Sequence, residues 1–439
     1  MTGFRFNTIF HKTKQFHRAG NFSKTIAILP VFFISLFFSD CGHSSGQEVR
    51  DSLRWWKGNL HTHTLWSDGQ DYPEMVTQWY KDHGYHFLAL SDHNILSEGQ
   101  KWIDVAPGDA VFRKYLERFG PDWVEQKATD DRIQVRLKPI SEFRCLFEEP
   151  GRFLLFQAEE ISDTLAHLNA INISRPIPPQ GGNSPVELLQ NNVNAVIAQS
   201  RETGRPMFCQ INHPNFRWAL TAEDIMQIRD EKFFEIYNAH PLTQSFGDSK
   251  HAGTERMWDI ILTKRLAELN LPLIYGIAAD DAHVYHQWGP AYANPGRAWI
   301  VVRSHHLSPE SIIRAMDAGD FYASTGVAFK DILFDGRTLK LVIRPENGIS
   351  YITQFIGTLR GYDSTSRSVV DANGIQIRTT RIYSNDIGKI LVEIKGTIST
   401  YTFTGNEIYV RAKVISTRSK DNTNAGIAWV QPVVPGVIK

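Results

Sequence analysis

Residues 58–69 read GNLHTHTLWSDG, and the spacing of their imidazoles and carboxylate organises the reading of the whole chain. His61 and His63 lie two apart where an apolar, strand-like start ends. Side chains two apart on an extended backbone share a face, so both imidazoles can reach one ion. Asp68 follows in a turn that ends at Gly69. A single His-x-His pair is weak, because many are surface accidents, but here the arrangement recurs. FLALSDHN ends an apolar run with Asp92 and His93, and FLLFQAEEIS ends another with Glu159 and Glu160. His167 opens AHLNAINI, MFCQINHP ends at His213, and LIYGIAADDAH delivers Asp281 and His283, again two apart. Of the two adjacent glutamates, Glu159 points to the face opposite Glu160 if the strand persists through both.

The surrounding pattern, from about residue 54 to 330, alternates short apolar runs with helical stretches. Strands are expected at 87–90, 153–156, 168–173, 207–211, 233–237, 273–277 and 298–302. Ser184-Pro185-Val186-Glu187 is a capping box with Pro at the first helical position, and Gly204 and Pro206 end the helix that it opens. Thr221 with Asp224 opens a short helix, residues 254–269 carry apolar side chains at helical period, and Ser308-Pro309 starts a helix that stops at Gly319. This rhythm implies a parallel sheet, closed as a barrel or open. In either form the C-terminal ends of the strands make the functional face. Crowded imidazoles and carboxylates are costly there unless cations or hydrogen bonds compensate them. A donor set without thiolate suits Zn²⁺, Mn²⁺ or Fe²⁺ at a working site better than structural zinc.

Segment 95–150 breaks the rhythm with helix-like stretches at 111–119 and 123–127, and reads as an insertion beside the site. From about 331 the texture changes to short alternating runs with turns at Asp335-Gly336, Asn373-Gly374 and Gly405-Asn406, which implies a small, sandwich-like all-β domain over 331–439. Residues 1–50 are expected to lie outside the fold. Arg5, Lys12, Lys14, Arg18 and Lys24 precede an apolar run at 25–38 that is short for a bilayer span. Cys41 follows it at the head of a small polar linker, resembling a bacterial lipoprotein signal. The expectation is an exported protein, periplasmic or cell-surface, that touches a membrane only through an anchor at Cys41. Lys+Arg and Asp+Glu are 47 each, so no basic stripe favours nucleic acid. Cys145 and Cys209 are too few for a disulfide framework.

The motifs of residues 54–330 together resemble the PHP (polymerase and histidinol phosphatase) family: HxH with a following SDG, [ST]DH, E-I-S, a following histidine, NHP and DAH. The opening KGNLHTHTLWSDG and the closing GRAWIVV…SPESIIRAMDAGDFYASTG further resemble its carbaryl-hydrolase-like branch. The resemblance implies a distorted seven-stranded (β/α) TIM-like barrel over 51–330. It also implies a di- or trinuclear site of divalent ions held by His61, His63, Asp68, His93, Glu160, His167, His213, Asp281 and His283. The implied activity is hydrolysis of a small-molecule ester, phosphorylated in the first reading, by a metal-bridging hydroxide, with Asp281 or Glu160 as the bridging carboxylate. Asp92 or a histidine such as His286 is a candidate acid for the leaving group. Arg297 is a candidate for a phosphate oxygen, and Trp66, Trp218 and Trp288 are candidates for an aromatic pocket. Carboxyl ester or carbamate hydrolysis at the same site is the first alternative, and a non-catalytic metal-binding surface protein the second.

Overall fold

The computed structural model describes residues 53–128, 132–420 and 424–436. The expected leader and Cys41 lie outside the described residues. Seven strands, six of which carry or adjoin the recurrent motifs, are β1 (Arg54–Asn59), β2 (Phe87–Leu90), β3 (Leu154–Ser162), β4 (His167–Ile171), β5 (Phe208–Ile211), β6 (Phe233–Asn238) and β7 (Tyr275–Ala279). They neighbour one another in chain order within one large mixed sheet.

Pairs β1–β2, β2–β3, β5–β6 and β6–β7 are parallel, whereas β3–β4 and β4–β5 are antiparallel. The wholly parallel arrangement expected from the strand–helix rhythm is therefore corrected at β4. Only residues 163–166 separate β3 from β4, which leaves no room for the crossover that a parallel pair needs. Beyond the strand ends, Thr62 and Ala282 form a parallel bridge. His63 N–H donates to Ala282 O at 3.0 Å, and Asp281 N–H donates to His61 O at 3.1 Å. The chain leaving β1 thus meets the chain leaving β7, at the end of the strands where the motifs lie.

The helices are α1 (Pro73–Asp82), α2 (Ala110–Phe119), α3 (Ile140–Phe147), α4 (Pro185–Thr203), α5 (Ala222–Ile225), α6 (Thr254–Lys264) and α7 (Pro309–Asp317). Ser184 Oγ caps α4 by accepting Glu187 N–H, and the returning bond runs from Asn183 N–H to the Glu187 carboxylate. Gly204, at φ 66°, ends α4 in the left-handed region that favours glycine. The helix buries Leu188, Leu189, Val193 and Val196 in the core that holds Leu168, Ile211 and Phe234 of β4–β6. Residues 123–127, expected to be helical, are not. Gln126–Ala128 is a strand on Ile133–Leu137, which also pairs with Lys101–Val105. So short a stretch cannot offset helix nucleation, and sheet pairing wins. The core of this segment includes Trp66, Tyr72, Tyr115, Val135 and Leu137. It is tied to the loop before Asp68, because the Trp66 indole donates to Lys138 O at 3.2 Å and Lys101 Nζ donates to Trp66 O.

On the far side of β1 the sheet continues antiparallel through β8 (Trp299–Ser304) and β9 (Phe321–Ser324). Besides a short pair, Ser366–Arg367 with Ile382–Tyr383, the strands that follow are β10 (Phe329–Phe334), β11 (Thr338–Ile343), β12 (Tyr351–Leu359), β13 (Lys389–Lys395), β14 (Ile398–Thr402), β15 (Glu407–Lys420) and β16 (Asn424–Val433). The large sheet runs on from β9 through β16, β15, β12 and β13, while β10, β11 and β14 form a separate sheet. The two share one core, with Leu339, Leu341 and Tyr401 in the same cluster as Phe355, Val410 and Val430. The turn at Asp335-Gly336 joins β10 to β11 as an antiparallel hairpin, with Gly336 at φ 88°. Among the described residues no helix is long and apolar enough to cross a membrane.

Candidate metal centre

All nine candidate ligands converge. They form four overlapping groups: His63, Asp68, His93 and His283; His61, His63 and Asp281; His61, Glu160 and His213; and His93, Glu160 and His167. Within each group the donor atoms lie within 4.8 Å of one another. Strand geometry explains the convergence. β2 and β3 lie side by side in parallel, and beyond β2 His93 bridges to Glu160 of β3. β4 returns antiparallel with His167 opposite Ser162. The Thr62–Ala282 bridge sets the His61–His63 segment against Asp281 and His283.

Glu160 occupies the middle. Its Oε1 lies 3.4 Å from His61 Nε2, 3.1 Å from His167 Nδ1 and 3.2 Å from His213 Nε2. Its Oε2 lies 3.4 Å from His63 Nε2 and 2.9 Å from His93 Nδ1. Asp281 Oδ1 lies 3.2 Å from both His61 Nε2 and His63 Nε2. Both carboxylates therefore span imidazoles that belong to different groups. Asp281 sits at φ 50°, a conformation that costs a non-glycine residue of order 1 kcal/mol and that recurs where a site dictates the backbone. Asp68 closes the open side, 3.3 Å from His283 Nε2 and 3.6 Å from His63 Nδ1 and His93 Nε2.

The donor set fits divalent ions. His61 Nε2, His63 Nε2 and Glu160 Oε2 are buried and make no well-directed hydrogen bond, although ionisable neighbours lie 2.9–3.4 Å away. Orphaned buried donors are costly, and a cation shared among them removes the cost. The ionisation directions agree. Burial opposes charge on Glu160 and Asp281, but the His61 charge and the hydrogen bonds of neighbouring histidines hold both well below the ordinary carboxylate range. Burial also opposes charge on His61, and Asp281, Glu235 and Glu160 together reverse it and raise its pKa. His283 is pushed up to about 9, against its burial, by Asp68 and Asp281. His63 goes down to about 3, through burial and the charge of His283. The pocket thus demands positive charge, and protonated imidazoles supply it where metal ions would.

Other expected residues are placed differently. Glu159 faces away, accepting Ile177 N–H. Asp92, expected as an acid toward the leaving group, instead turns both oxygens into the adjoining loop. It accepts Thr64 N–H and Thr64 Oγ1–H at 2.8 Å and Ser67 Oγ–H at 2.6 Å. It thereby fixes the turn that presents His63 and Asp68. His286 lies outside the four groups, 3.3 Å from Asp71 Oδ2. Arg297 commits Nη2 to Gly289 O and to Asn294 Oδ1, and its head group lines a cavity beside the cluster. Trp66 is buried in the 95–150 core, and Trp218 stacks on His251 at 3.9 Å. Trp288 lines the cavity.

Sequence reading missed Glu235. It is fully buried in β6 and its Oε1 lies 2.7 Å from His61 Nδ1. A lone carboxylate inside the apolar run FFEIY was the available signal. It also missed Gln210 and Asn212, which share a face by their spacing, as well as Asn238 and His240. Asn212 donates to Glu160 Oε1 at 2.8 Å and Asn238 to Asp281 Oδ2 at 3.1 Å.

No protein-family model matches the chain. No curated protein matches it either. Among solved structures, one similar chain is a two-domain protein from Bacteroides vulgatus containing a predicted PHP-like metal-dependent phosphoesterase. It is 13% identical with a TM-score of 0.36, over 82% of this chain and 90% of that one. Another, from Bifidobacterium adolescentis, is a proposed metal-dependent phosphoesterase. It is 12% identical with a TM-score of 0.27, over 54% of this chain and 89% of that one. Both are distant likenesses.

Proposed function

We propose that this chain is a metal-dependent phosphoesterase with a di- or trinuclear site, built on a distorted barrel of the PHP kind in which β1–β7 close through the Thr62–Ala282 bridge. The observation that carries the reading is the set of buried donor atoms without a well-directed hydrogen bond, His61 Nε2, His63 Nε2 and Glu160 Oε2, within a cluster of imidazoles and carboxylates. Bound divalent ions supply Lewis acidity toward a phosphoryl oxygen and make a water acidic enough to attack near neutral pH.

The residues of the chain do the rest. Glu160 and Asp281, each within reach of several imidazoles, are the carboxylates that would hold the ions together with those imidazoles. Glu235 holds His61 by its Nδ1 and turns Nε2 toward the cluster. Asp92 orders the turn that carries His63 and Asp68. Hydrolysis forms a P–O bond to the attacking water and breaks the P–O bond to the leaving oxygen, which takes up a proton.

The test is hydrolysis by the full chain loaded with Mn²⁺ or Zn²⁺, on a nitrophenyl phosphate monoester, a diester and an aryl carbamate, with His61→Ala as blank. Phosphoester turnover that vanishes in the blank supports the proposal. Carbamate turnover alone replaces it with the second reading, favoured by the aromatic cavity beside the cluster and by the carbaryl-hydrolase-like motifs. Silence on all three from metal-loaded protein sinks both.

A further inference from the structure

A cavity of about 940 Å³, within the size range of small-molecule sites, is lined by Asn238 and His240, which contact the candidate ligands Asp281 and His283. Its walls hold two aromatic pairs, Trp79 with Trp288 and Tyr237 with Phe246, and two cations, Lys57 and Arg297. The Trp79 and Trp288 ring centres lie 5.9 Å apart with planes at 30°, and those of Tyr237 and Phe246 lie 5.8 Å apart. Trp288 and Phe246 are 56% and 67% exposed, so large rings stand in water where a ligand would cover them.

The cations are held in place. Lys57 Nζ lies 3.6 Å from the Tyr85 ring centre and 4.1 Å from that of Trp299. Arg297 is fixed by Gly289 O and Asn294 Oδ1. No Asp or Glu is among the described residues that line the cavity. Behind the wall, Asp280 is saturated by Asn59, by Tyr80 and by the backbone N–H groups of Gly296, Arg297 and Ala298. Two lining residues connect the cavity to the centre. Asn238 donates to Asp281 Oδ2, and the His240 ring centre lies 5.5 Å from that of His283.

We propose that this cavity holds the leaving half of the substrate, and that this half is a planar aromatic ring bearing its own anionic group. The aromatic walls recognise the ring face and the two cations recognise the charge. The word "substrate" rests on the hydrolase reading above; the ring-and-anion preference rests on the cavity.

Two measurements on the full chain separate them. In the first, 4-hydroxybenzoate, phenol and 4-hydroxybutanoate are titrated by calorimetry into protein with and without Mn²⁺. The expected result is binding of 4-hydroxybenzoate at least about tenfold tighter than either of the others, with or without the ion. Trp288→Ala is expected to reduce the preference over 4-hydroxybutanoate about tenfold, and Lys57→Met the preference over phenol about tenfold, with folding checked by circular dichroism. In the second, 4-carboxyphenyl phosphate is expected to show a higher kcat/KM than phenyl phosphate or 3-carboxypropyl phosphate. Equal binding of the three probes, or an unchanged preference in both folded variants, overturns the cavity proposal even if phosphoesters turn over. Selective binding without turnover of any phosphoester overturns the hydrolase reading and leaves the cavity as a site for anionic aromatic ligands.

Discussion

His61 Nδ1 lies 2.7 Å from Glu235 Oε1, and both residues are fully buried. The same carboxylate accepts Gln210 Nε2–H at 3.1 Å, His213 N–H at 2.7 Å and Asn238 Nδ2–H at 2.9 Å. A carboxylate behind an imidazole fixes the tautomer that leaves the other ring nitrogen free for a metal, and losing such a partner weakens metal affinity about 10–100-fold. Glu235→Gln is therefore expected to lower Mn²⁺ or Zn²⁺ affinity within that range in a chelator competition, while circular dichroism stays native. Unchanged affinity in the folded variant contradicts the orienting role.

Metal removal should be felt by the fold as well as by the activity. The donors of the cluster come from β3, β4 and the segments after β1, β2, β5 and β7, so an ion shared among them ties distant stretches of chain together. Ligands that bind only the folded state stabilise it, by about 4 kcal/mol at a thousandfold excess over Kd. Excess chelator is expected to abolish hydrolysis and to lower the melting temperature by several degrees. An unshifted melt, with metal loss confirmed by elemental analysis, speaks against a buried multi-ion site.

Gly69 sets the close approach in the Asp68 turn. A Cβ there would fall 2.5 Å from the His63 carbonyl carbon and oxygen and from Thr64 N, all of them backbone atoms that cannot swing aside. Gly69→Ala is expected to cost about 1–3 kcal/mol, in line with overpacking elsewhere. It should also displace Asp68 and His63 together, so metal affinity falls by more than an equally destabilising change far from the site would produce. Native affinity in Gly69→Ala protein sinks this expectation.

Glu231 gives the fold a pH dependence that is independent of the cluster. Burial lifts its carboxyl to about 8, although Cys209 Sγ–H and the N–H groups of Phe233 and Lys232 favour its anion. The unfolded value is about 4.3, so between the two the folded chain holds a proton that the unfolded chain has released. The stabilising contribution is complete below about pH 4 and fades as pH rises through about 8. The urea midpoint should fall between about pH 5 and 8 more steeply in wild-type protein than in Glu231→Gln. Parallel slopes would remove Glu231 as the cause.

The strands after residue 331 are clamped to α6 by a buried ion pair. Arg411 on β15 donates Nε to Asp259 Oδ1 at 2.8 Å and Nη2 to Asp259 Oδ2 at 2.7 Å, and Glu255 lies 3.2 Å away. Removing one partner strands a buried charge, at a cost of about 3–5 kcal/mol. Arg411→Met is expected to lose stability on that scale in urea. Adding Asp259→Asn should recover part of it, and no recovery in the double variant would mean that the loss came from packing.

The sequence by itself determined which side chains could meet. His61 and His63 are two apart, and on extended backbone such a spacing puts both on one face; Asp281 and His283 have the same spacing, but Asp281 at φ 50° leaves the extended region, so their approach is set by the fold. Each remaining candidate ligand except Asp68 stands at the start or end of an apolar run, which local hydrophobicity marks plainly. The same alternation separates Glu160 from Glu159, which turns to Ile177 on the other face. Hydrogen-bond register between strands distant in sequence decided the rest. It brought Glu160 among five histidines and turned Asp92 into the Thr64–Ser67 loop. It also placed Glu235 behind His61 across 174 positions. Spacing along the chain assigns a residue to a face, but its partner across the sheet depends on how separate strands align, and no local pattern encodes that alignment.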